Sequence, residues 1–459
     1  MKYTKFILLF LSLFFAERGI TQSFFQEIAV QIGIEKQEGS EGIAIGDFNN
    51  DGLEDIYVSS LEGENQLYKN QGNGIFVEMA ASTGLAIPYR TKTSVWGDFN
   101  NDGWLDLYVG NQYAPDQLFL NKGDENFEEI AENANIYNFG LPQSVNLADV
   151  NGDGYLDIYV SNFEAENILY LNNQNNTFTD YTLASGALDN GKSMGSIFFD
   201  YDRDGDADLY LVHDDFEPNF LYQNDGKGHF TEVAEQVGVN TTSYGMGVDV
   251  GDVNNDGWLD IYITNLFQNI LLLNNGDGTF KDVSKGAQIE DSGMGWGTSF
   301  LDFDNDGQLD IYVANDSKFS PGISNTLYHN LGDNTFQEVA VNEEVSNWGK
   351  SYGTACFDYN LDGRTDILVS NKEELGLQFF ENQIERSNWV SFKLIGIESN
   401  RMAIGSKIEL IDQTGKTHYK ELTAGHGWTS QNSQLLHFGL GEIEQLEQIK
   451  IHWASGAVQ

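Results

Sequence analysis

The chain runs Asp47-Phe48-Asn49-Asn50-Asp51-Gly52-Leu53-Glu54-Asp55 and passes directly into Ile56-Tyr57-Val58. Oxygen-bearing side chains stand at positions 1, 3, 5 and 9 of this loop, around a glycine at position 6. That is the donor set of a hard cation: Ca²⁺ takes roughly six to eight oxygens at about 2.3–2.6 Å, and position 7 adds a backbone carbonyl. An EF-hand closes its coordination sphere with Glu at position 12, but here position 12 is Val58. The residues after position 9 are β-branched and aromatic, so the loop joins two strands rather than two helices.

The loop recurs six more times. Its copies supply Asp98, Asn100, Asp102 and Asp106; Asp149, Asn151, Asp153 and Asp157; Asp200, Asp202, Asp204 and Asp208. Three further copies supply Asp252, Asn254, Asp256 and Asp260; Asp302, Asp304, Asp306 and Asp310; and Asp358, Asn360, Asp362 and Asp366. Starts are spaced by 51, 51, 51, 52, 50 and 56 residues. A run of small and apolar residues precedes each loop, as in Thr93-Ser94-Val95-Trp96-Gly97, and suits an innermost strand crowded around an axis. A third strand is marked by Asn-x-Leu-Tyr-x-Asn, clearest from Asn65 to Asn70 and from Asn167 to Asn172. A fourth begins with Phe-x-Glu, as from Phe76 to Ala80. Four antiparallel strands per fifty-residue repeat predict a propeller blade, so the fold class is all-β, with seven blades.

The fourth-strand motif also occurs once before any loop, as Phe25-Gln26-Glu27-Ile28-Ala29, and is missing after Asn382. The phase predicts that this N-terminal strand completes blade seven and closes the ring, hiding the last sheet edge. An open row of β units would leave it without a role.

Composition bounds the function. Against 70 Asp and Glu stand only 24 Lys and Arg, a net charge of −46, which excludes the basic footprint of a nucleic-acid binder. Residues 1–22 read as an export signal: Lys2 and Lys5 precede an apolar run from Phe6 to Ala16 that Glu17 and Arg18 end. The run is far shorter than the ~20 residues of a spanning helix, so no permanent membrane span is expected. Cys356 is the single cysteine, so no intrachain disulfide forms and stability rests on packing and metal. The bland alternative for the seven loops is a solvated Asp/Asn turn. Three or four carboxylates within nine residues repel one another without a cation, and a turn has no need of Asp at position 9 in every copy.

Over residues 23–387 these repeats resemble the FG-GAP or VCBS repeats of integrin-type calcium-binding propellers. From residue 388 a second resemblance begins, carried by Asn400-Arg401-Met402-Ala403-Ile404-Gly405, by Gly425-His426-Gly427-Trp428-Thr429-Ser430-Gln431, by His437-Phe438-Gly439-Leu440-Gly441 and by Trp453-Ala454-Ser455-Gly456. These residues are similar to the ASPIC/UnbV domain, and the pairing resembles the cartilage acidic protein family and its bacterial relatives. The resemblance implies calcium and brings no catalytic activity with it; integrin-type propellers fill only some blades, whereas all seven loops here keep their acidic ligands, so up to seven ions, one per blade, are expected from this sequence itself. It implies an exported, non-enzymatic binding or adhesion module for an extracellular protein or glycan, with calcium in a structural role.

The face opposite the loops is the better place for a partner. Five residues after each position 9 stand Ser60, Asn111, Asn162, His213, Asn265, Asn315 and Asn371, followed in five blades by Tyr113, Phe163, Phe216, Phe267 and Phe319. Amides beside aromatic faces suit a sugar or an extended peptide; the plainer reading is that Asn starts a turn and the ring packs on its own blade. No His-Glu-x-x-His signature occurs. The rival reading, a calcium-dependent polysaccharide lyase or hydrolase, has His213-Asp214-Asp215 and Asn315-Asp316 as its first suspects. His437 is expected to order a turn, and Cys356 to be a buried, inert thiol.

Overall fold

The structure, a computed structural model, describes residues 23–34, 39–373, 375–385 and 387–459. The expected export signal, residues 1–22, lies outside the described residues. Among those described, seven four-stranded antiparallel sheets stand as blades. Blade 1 runs from an inner strand, Ser40–Gly46, through Asp55–Ser60 and Gln66–Asn70 to an outer strand, Phe76–Glu78. Blade 7 is made of Ser351–Phe357, Asp366–Asn371 and Gln378–Asn382, and its outer strand is the N-terminal Phe25–Glu27, with Phe25 opposite Asn382. The ring therefore closes as the repeat phase requires.

Each blade buries both faces of its middle strands. The aromatic that follows two residues after position 9 is Tyr57, Tyr108, Tyr159, Tyr210, Tyr262 and Tyr312 in blades 1 to 6, all fully buried between neighbouring sheets. Burial of such a side chain contributes roughly 1.5–3 kcal/mol. Outer strands bury at most their first residue, as the pattern of Phe76–Glu78 illustrates, because they have solvent on one side. Inner strands approach one another too closely for side chains at some positions. A Cβ on Gly247 would lie 2.4 Å from the Trp296 carbonyl oxygen, and one on Gly297 would lie 2.3 Å from that of Tyr352.

Beyond residue 388 the chain forms a two-stranded sheet, Asn388–Lys393 with Leu435–Gly441, and a three-stranded sheet of Thr417–Glu421, Lys407–Asp412 and Leu446–His452. These sheets lie over the loop face, and their core is continuous with that of blades 1 to 3, where Met402, Ile404 and Leu422 join Phe48, Trp96 and Phe99.

Between the two sheets the chain descends into the propeller axis. Ala424 accepts a hydrogen bond from Leu147 N (3.1 Å), Gly427 exchanges two with Val248 (2.7 and 2.9 Å), and Gln431 exchanges two with the Ile43–Ile45 segment (2.8 and 3.1 Å). The Gln431 side chain accepts from Trp96 N and donates to Trp96 O. At the tip, Trp428 is fully buried against Trp296 and Tyr352, with ring centroids 4.5 and 5.5 Å away, and the Lys92 ammonium stands 3.9 Å over its ring. The Gly-His-Gly-Trp segment is thus the plug of the ring.

Candidate metal loops and the opposite face

The seven loops share one local geometry. Position 4 is left-handed in every copy, from Asn50 (φ 55°) to Leu361 (φ 57°), and so is the glycine at position 6, from Gly52 (φ 88°) to Gly363 (φ 84°). These two kinks turn the side chains of positions 1, 3 and 5 inward. Asp47 Oδ1 accepts from Asp51 N (3.0 Å) and Oδ2 from Gly52 N (3.1 Å), while Asn49 Oδ1 also accepts from Asp51 N. The pattern repeats in blades 2, 3, 5, 6 and 7. Blade 4 departs from it: Asp200 Oδ2 still accepts from Gly205 N, but Asp200 Oδ1 is buried without any hydrogen-bond partner.

Charge accumulates where water is excluded. Burial pushes the carboxyl of Asp98, Asp149 and Asp358 up to about 6, of Asp252 to about 7 and of Asp55 to about 8, with neighbouring loop aspartates adding to the rise. Burial likewise holds Asp106, Asp157, Asp208, Asp260 and Asp366 well above the carboxylate range. Asp200, Asp202, Asp204 and Asp208 bring four carboxylate oxygens within 4.8 Å of one another, and Asp302, Asp304 and Asp310 bring three. Such acidic clusters can hold a metal ion, and a divalent cation would supply the charge these buried groups lack. The donor chemistry, all oxygen, fits Ca²⁺. In blade 6, His329 Nδ1 also stands 3.2 Å from Asp310 Oδ1, and the hydrogen bond to that carboxylate raises the imidazole to about 9.

Position 9 has a second duty that its sequence conceals. Asp55 Oδ1 accepts from Asn70 N (2.8 Å) and Oδ2 from Phe48 N (3.2 Å), locking the loop to the third strand. The Asn that closes the Asn-x-Leu-Tyr-x-Asn motif then reaches across to the preceding blade. Asn121 Nδ2 donates to Phe48 O, Asn172 Nδ2 to Phe99 O and Asn382 Nδ2 to Phe303 O, at 2.7–2.8 Å. Blade 1 is joined to blade 7 in the same way, Asn70 Nδ2 to Tyr359 O. Position 4 makes the reciprocal link, Asn50 to Gly103 O and Asn101 to Gly154 O. Recurrence of these Asn residues was visible in the sequence; their partners, some seventy residues away, were not.

The C-terminal sheets cover this loop face. Lys393 Nζ pairs with Asp47 (3.0 Å), Lys407 with Asp200, and Arg203 with Glu409 (2.9 Å). Asp98 N donates to Met402 Sδ, and Arg401 N donates to Asn101 Oδ1. His437 is not in a turn: it lies on the strand Leu435–Gly441, with Nε2 2.7 Å from Asn305 Oδ1 and Nδ1 2.9 Å from Ser391 Oγ. Cys356 is buried on its inner strand and its thiol is pushed up to about 12 by burial.

The opposite face is open. Its row of Asn residues is buried and used internally: Asn111 Nδ2 donates to Pro115 O, Asn162 Nδ2 to Glu166 O, Asn315 Nδ2 to Ser324 O and Asn371 Nδ2 to Gly376 O. His213 is also buried, with Nε2 3.2 Å from Asp189 Oδ2 and its ring against Phe220, so it does not line an open site with Asp214 and Asp215. Tyr113 is 79% exposed, and Phe216, Phe267 and Phe319 are each 59% exposed. Phe163 is the exception, half-buried beside the Trp428 cluster. Tyr113, Phe216 and Phe267 are left-handed (φ 62°, 61° and 84°), a conformation that costs roughly 1–2 kcal/mol for a residue with a Cβ. Exposed aromatic rings on a strained backbone mark this rim as a place where the chain gives up stability.

Repeat geometry, ring closure and oxygen-lined loops together define a propeller of one recurring blade type. The chain belongs to the FG-GAP-like repeat family, which matches residues 47–109, 98–160, 149–211, 200–263, 268–313 and 302–369. Residues 396–459 match the family described as ASPIC and UnbV. Cartilage acidic protein 1 of Xenopus tropicalis is 30% identical over 201 residues, which are 40% of this chain and 30% of that protein. Cartilage acidic protein 1 of Homo sapiens is 30% identical over 203 residues, 41% of this chain and 30% of that protein. The match thus spans less than a third of the length of these curated relatives. Among solved structures, a lectin of Agrocybe aegerita that recognises non-reducing terminal N-acetylglucosamine has a TM-score of 0.44 at 18% identity, over 68% of this chain and 84% of its own. BBS1N in complex with ARL6DN has a TM-score of 0.49 at 9% identity, over 80% of this chain and 99% of its own. Among the described residues, no helix is long and apolar enough to cross a membrane.

Proposed function

We propose that the molecule is an exported binding or adhesion module whose loops are stapled by calcium and whose open face meets an extracellular protein or glycan. One observation carries this reading: the loop face is covered by the C-terminal sheets, while the opposite face presents Tyr113, Phe216, Phe267 and Phe319 to solvent. Up to seven ions would be held, each by the side chains of loop positions 1, 3, 5 and 9, Asp47, Asn49, Asp51 and Asp55 in blade 1. Calcium supplies the positive charge that the buried carboxylates require, and the chain's own residues fix its seat through the left-handed turns at positions 4 and 6. Each loop also anchors Asn residues that join neighbouring blades, which supports a structural rather than a regulatory role.

The rival lyase or hydrolase needs a titratable group at an open mouth. Its first suspect, His213, is buried against Phe220 and Asp189, which favours binding over turnover. The test is an array of glycans and surface proteins probed with the calcium-loaded chain, followed by assay of any captured glycan for cleavage. Saturable capture without cleavage is expected. Cleavage that Asp214→Ala abolishes would replace this reading with the enzyme.

A further inference from the structure

We infer that the cleft between blades 4 and 5 on the open face is a binding site for a neutral saccharide. The proposal rests on the reading of the molecule as a binding module and names its ligand class and seat. The cleft has a volume of about 590 Å³, within the range of small-molecule sites. Phe216 and Phe267, both exposed, line it together with Tyr244, whose ring centroid is 4.4 Å from that of Phe216.

Its polar groups depart from the repeat in a way that leaves hydrogen-bonding capacity unused. Two of the residues lining the cleft, Ser243 and Asn265, are more than nine-tenths buried, and neither Ser243 Oγ nor Asn265 Oδ1 has a hydrogen-bond partner. Other blades fill this need from the facing strand. In blade 2 the equivalent amide oxygen, of Asn111, accepts from Thr91 Oγ1 (2.9 Å), and in blade 7 that of Asn371 accepts from Ser351 Oγ (2.8 Å). The residue opposite Asn265 is Gly245, which has no hydroxyl to give. Blade 6 also has a glycine there, Gly295 opposite Asn315, and the same unpartnered oxygen. But the turn residue there is Gly293, so near that an added Cβ would come within 2.6 Å of Asn315 Oδ1, and Asn315, unlike Asn265, does not line the cleft. Blades 3, 4 and 7 likewise have Gly140, Gly191 and Gly349 at this turn position, whereas blade 5 alone of these five has a side chain, Ser243.

The chemistry of the lining selects the ligand. Unpaired buried polar groups are costly, so a ligand that satisfies them gains what the free protein forgoes. Asn265 Oδ1 lacks a donor and the exposed Glu290 carboxylate can accept hydrogen bonds, whereas Asp291 already accepts from Gly293 N (2.8 Å) and Asn315 Nδ2 (2.7 Å); among the described residues no Lys, Arg or His lines the cleft. A donor-rich, uncharged molecule with an apolar face fits: sugar hydroxyls towards the amide, the hydroxyl and the Glu290 carboxylate, and the C–H face of the ring on Phe216 or Phe267. Uronates, sulfated and phosphorylated sugars are rejected by the two carboxylates.

The experiment titrates the calcium-loaded full chain with methyl glycosides of glucose, galactose and N-acetylglucosamine, followed by saturation-transfer NMR and calorimetry, with glucuronic acid and choline alongside. Phe216→Ala, Phe267→Ala and Ser243→Gly are compared with wild type, and Tyr113→Ala serves as a remote exposed aromatic; melting temperatures verify folding. The expected result is binding of at least one neutral glycoside, weakened about tenfold or more by either Phe substitution, the loss of one stacked ring, and measurably by Ser243→Gly, but unchanged by Tyr113→Ala. Glycoside binding that survives both Phe substitutions overturns the assignment of this cleft and leaves the binding module standing. Binding of choline or glucuronic acid in place of the glycosides overturns the ligand class. No glycoside binding by folded wild type overturns the inference, and if the glycan and protein array is also blank the module reading falls with it.

Discussion

The two ends of the propeller are built from the same fifty-residue repeat and have diverged in opposite directions. At the loop end almost every polar group is committed. Asp55 bonds two backbone amides, Asn121 reaches the preceding blade, and the C-terminal sheets press Lys393, Lys407 and Met402 onto what is left. At the other end aromatic rings stand in water on left-handed backbone, and buried atoms such as Asn265 Oδ1 lack partners. A repeat protein gains stability from what its units share, whereas recognition depends on where they differ. Conserving stability at one end frees the other to depart from the repeat.

The largest effect should come from removing metal. Chelation of the purified protein is expected to lower its melting temperature by more than ~10 °C, because each ion that binds only the folded state adds its linkage energy. An unchanged melting curve would sink the view of the loop end as metal-stapled. Next is the plug: Trp428→Ala should cost ~3–5 kcal/mol, the range for a fully buried large aromatic, read from chemical denaturation. Asn121→Ala should cost about 1–3 kcal/mol by leaving two buried carbonyls, of Phe48 and Leu105, without their donor.

The pH dependence carries a sign. In metal-free protein the carboxyls of Asp98, Asp149 and Asp358, raised to about 6, and of Asp55, raised to about 8, bind protons that the unfolded chain releases near pH ~4. The folded state then holds more protons, so stability is highest at acid pH and falls, by a few degrees in melting temperature, as pH rises from about 4 to 8. Calcium competes with those protons and should reverse the slope, and a metal-free protein that gains stability over this window would contradict the sign. The smallest effect has the opposite direction to all the others. Tyr113→Gly, which relieves a left-handed residue at an exposed site, should stabilise the protein by about 0.5–1 kcal/mol. Destabilisation there would erase the contrast between the two ends.

Legibility followed distance along the chain. The loops, the strand order and the closing role of Phe25–Glu27 were readable because each is a local pattern or a matter of phase. Glycine-rich inner strands announced a crowded axis, yet nothing in residues 424–431 announces that they fill it, since the contacts of Gly427 and Gln431 with Val248 and Ile43 obey no period. The orphaned oxygens of blade 5 needed strand register: only once Gly245 is seen opposite Asn265 does a substitution in one strand become a vacancy in the bonding of another. The strand position of His437 is hidden in the sequence for the same reason, its partner Asn305 belonging to a loop far back in the chain.

The N-terminal strand of blade 7 also fixes an order of events. A chain made from its first residue onward presents Phe25–Glu27 long before Gln378–Asn382 exists to pair with it. At synthesis rates of ~5–20 residues per second, the roughly 350 residues between them take on the order of 20–70 s. Throughout that interval an unpaired strand edge must be kept from other chains, and the plug residues, 424–431, arrive only after both halves of the clasp. The molecule is therefore latched, and then corked, only once residue 382 has been made, so a polypeptide cut short before it is left with an open seam.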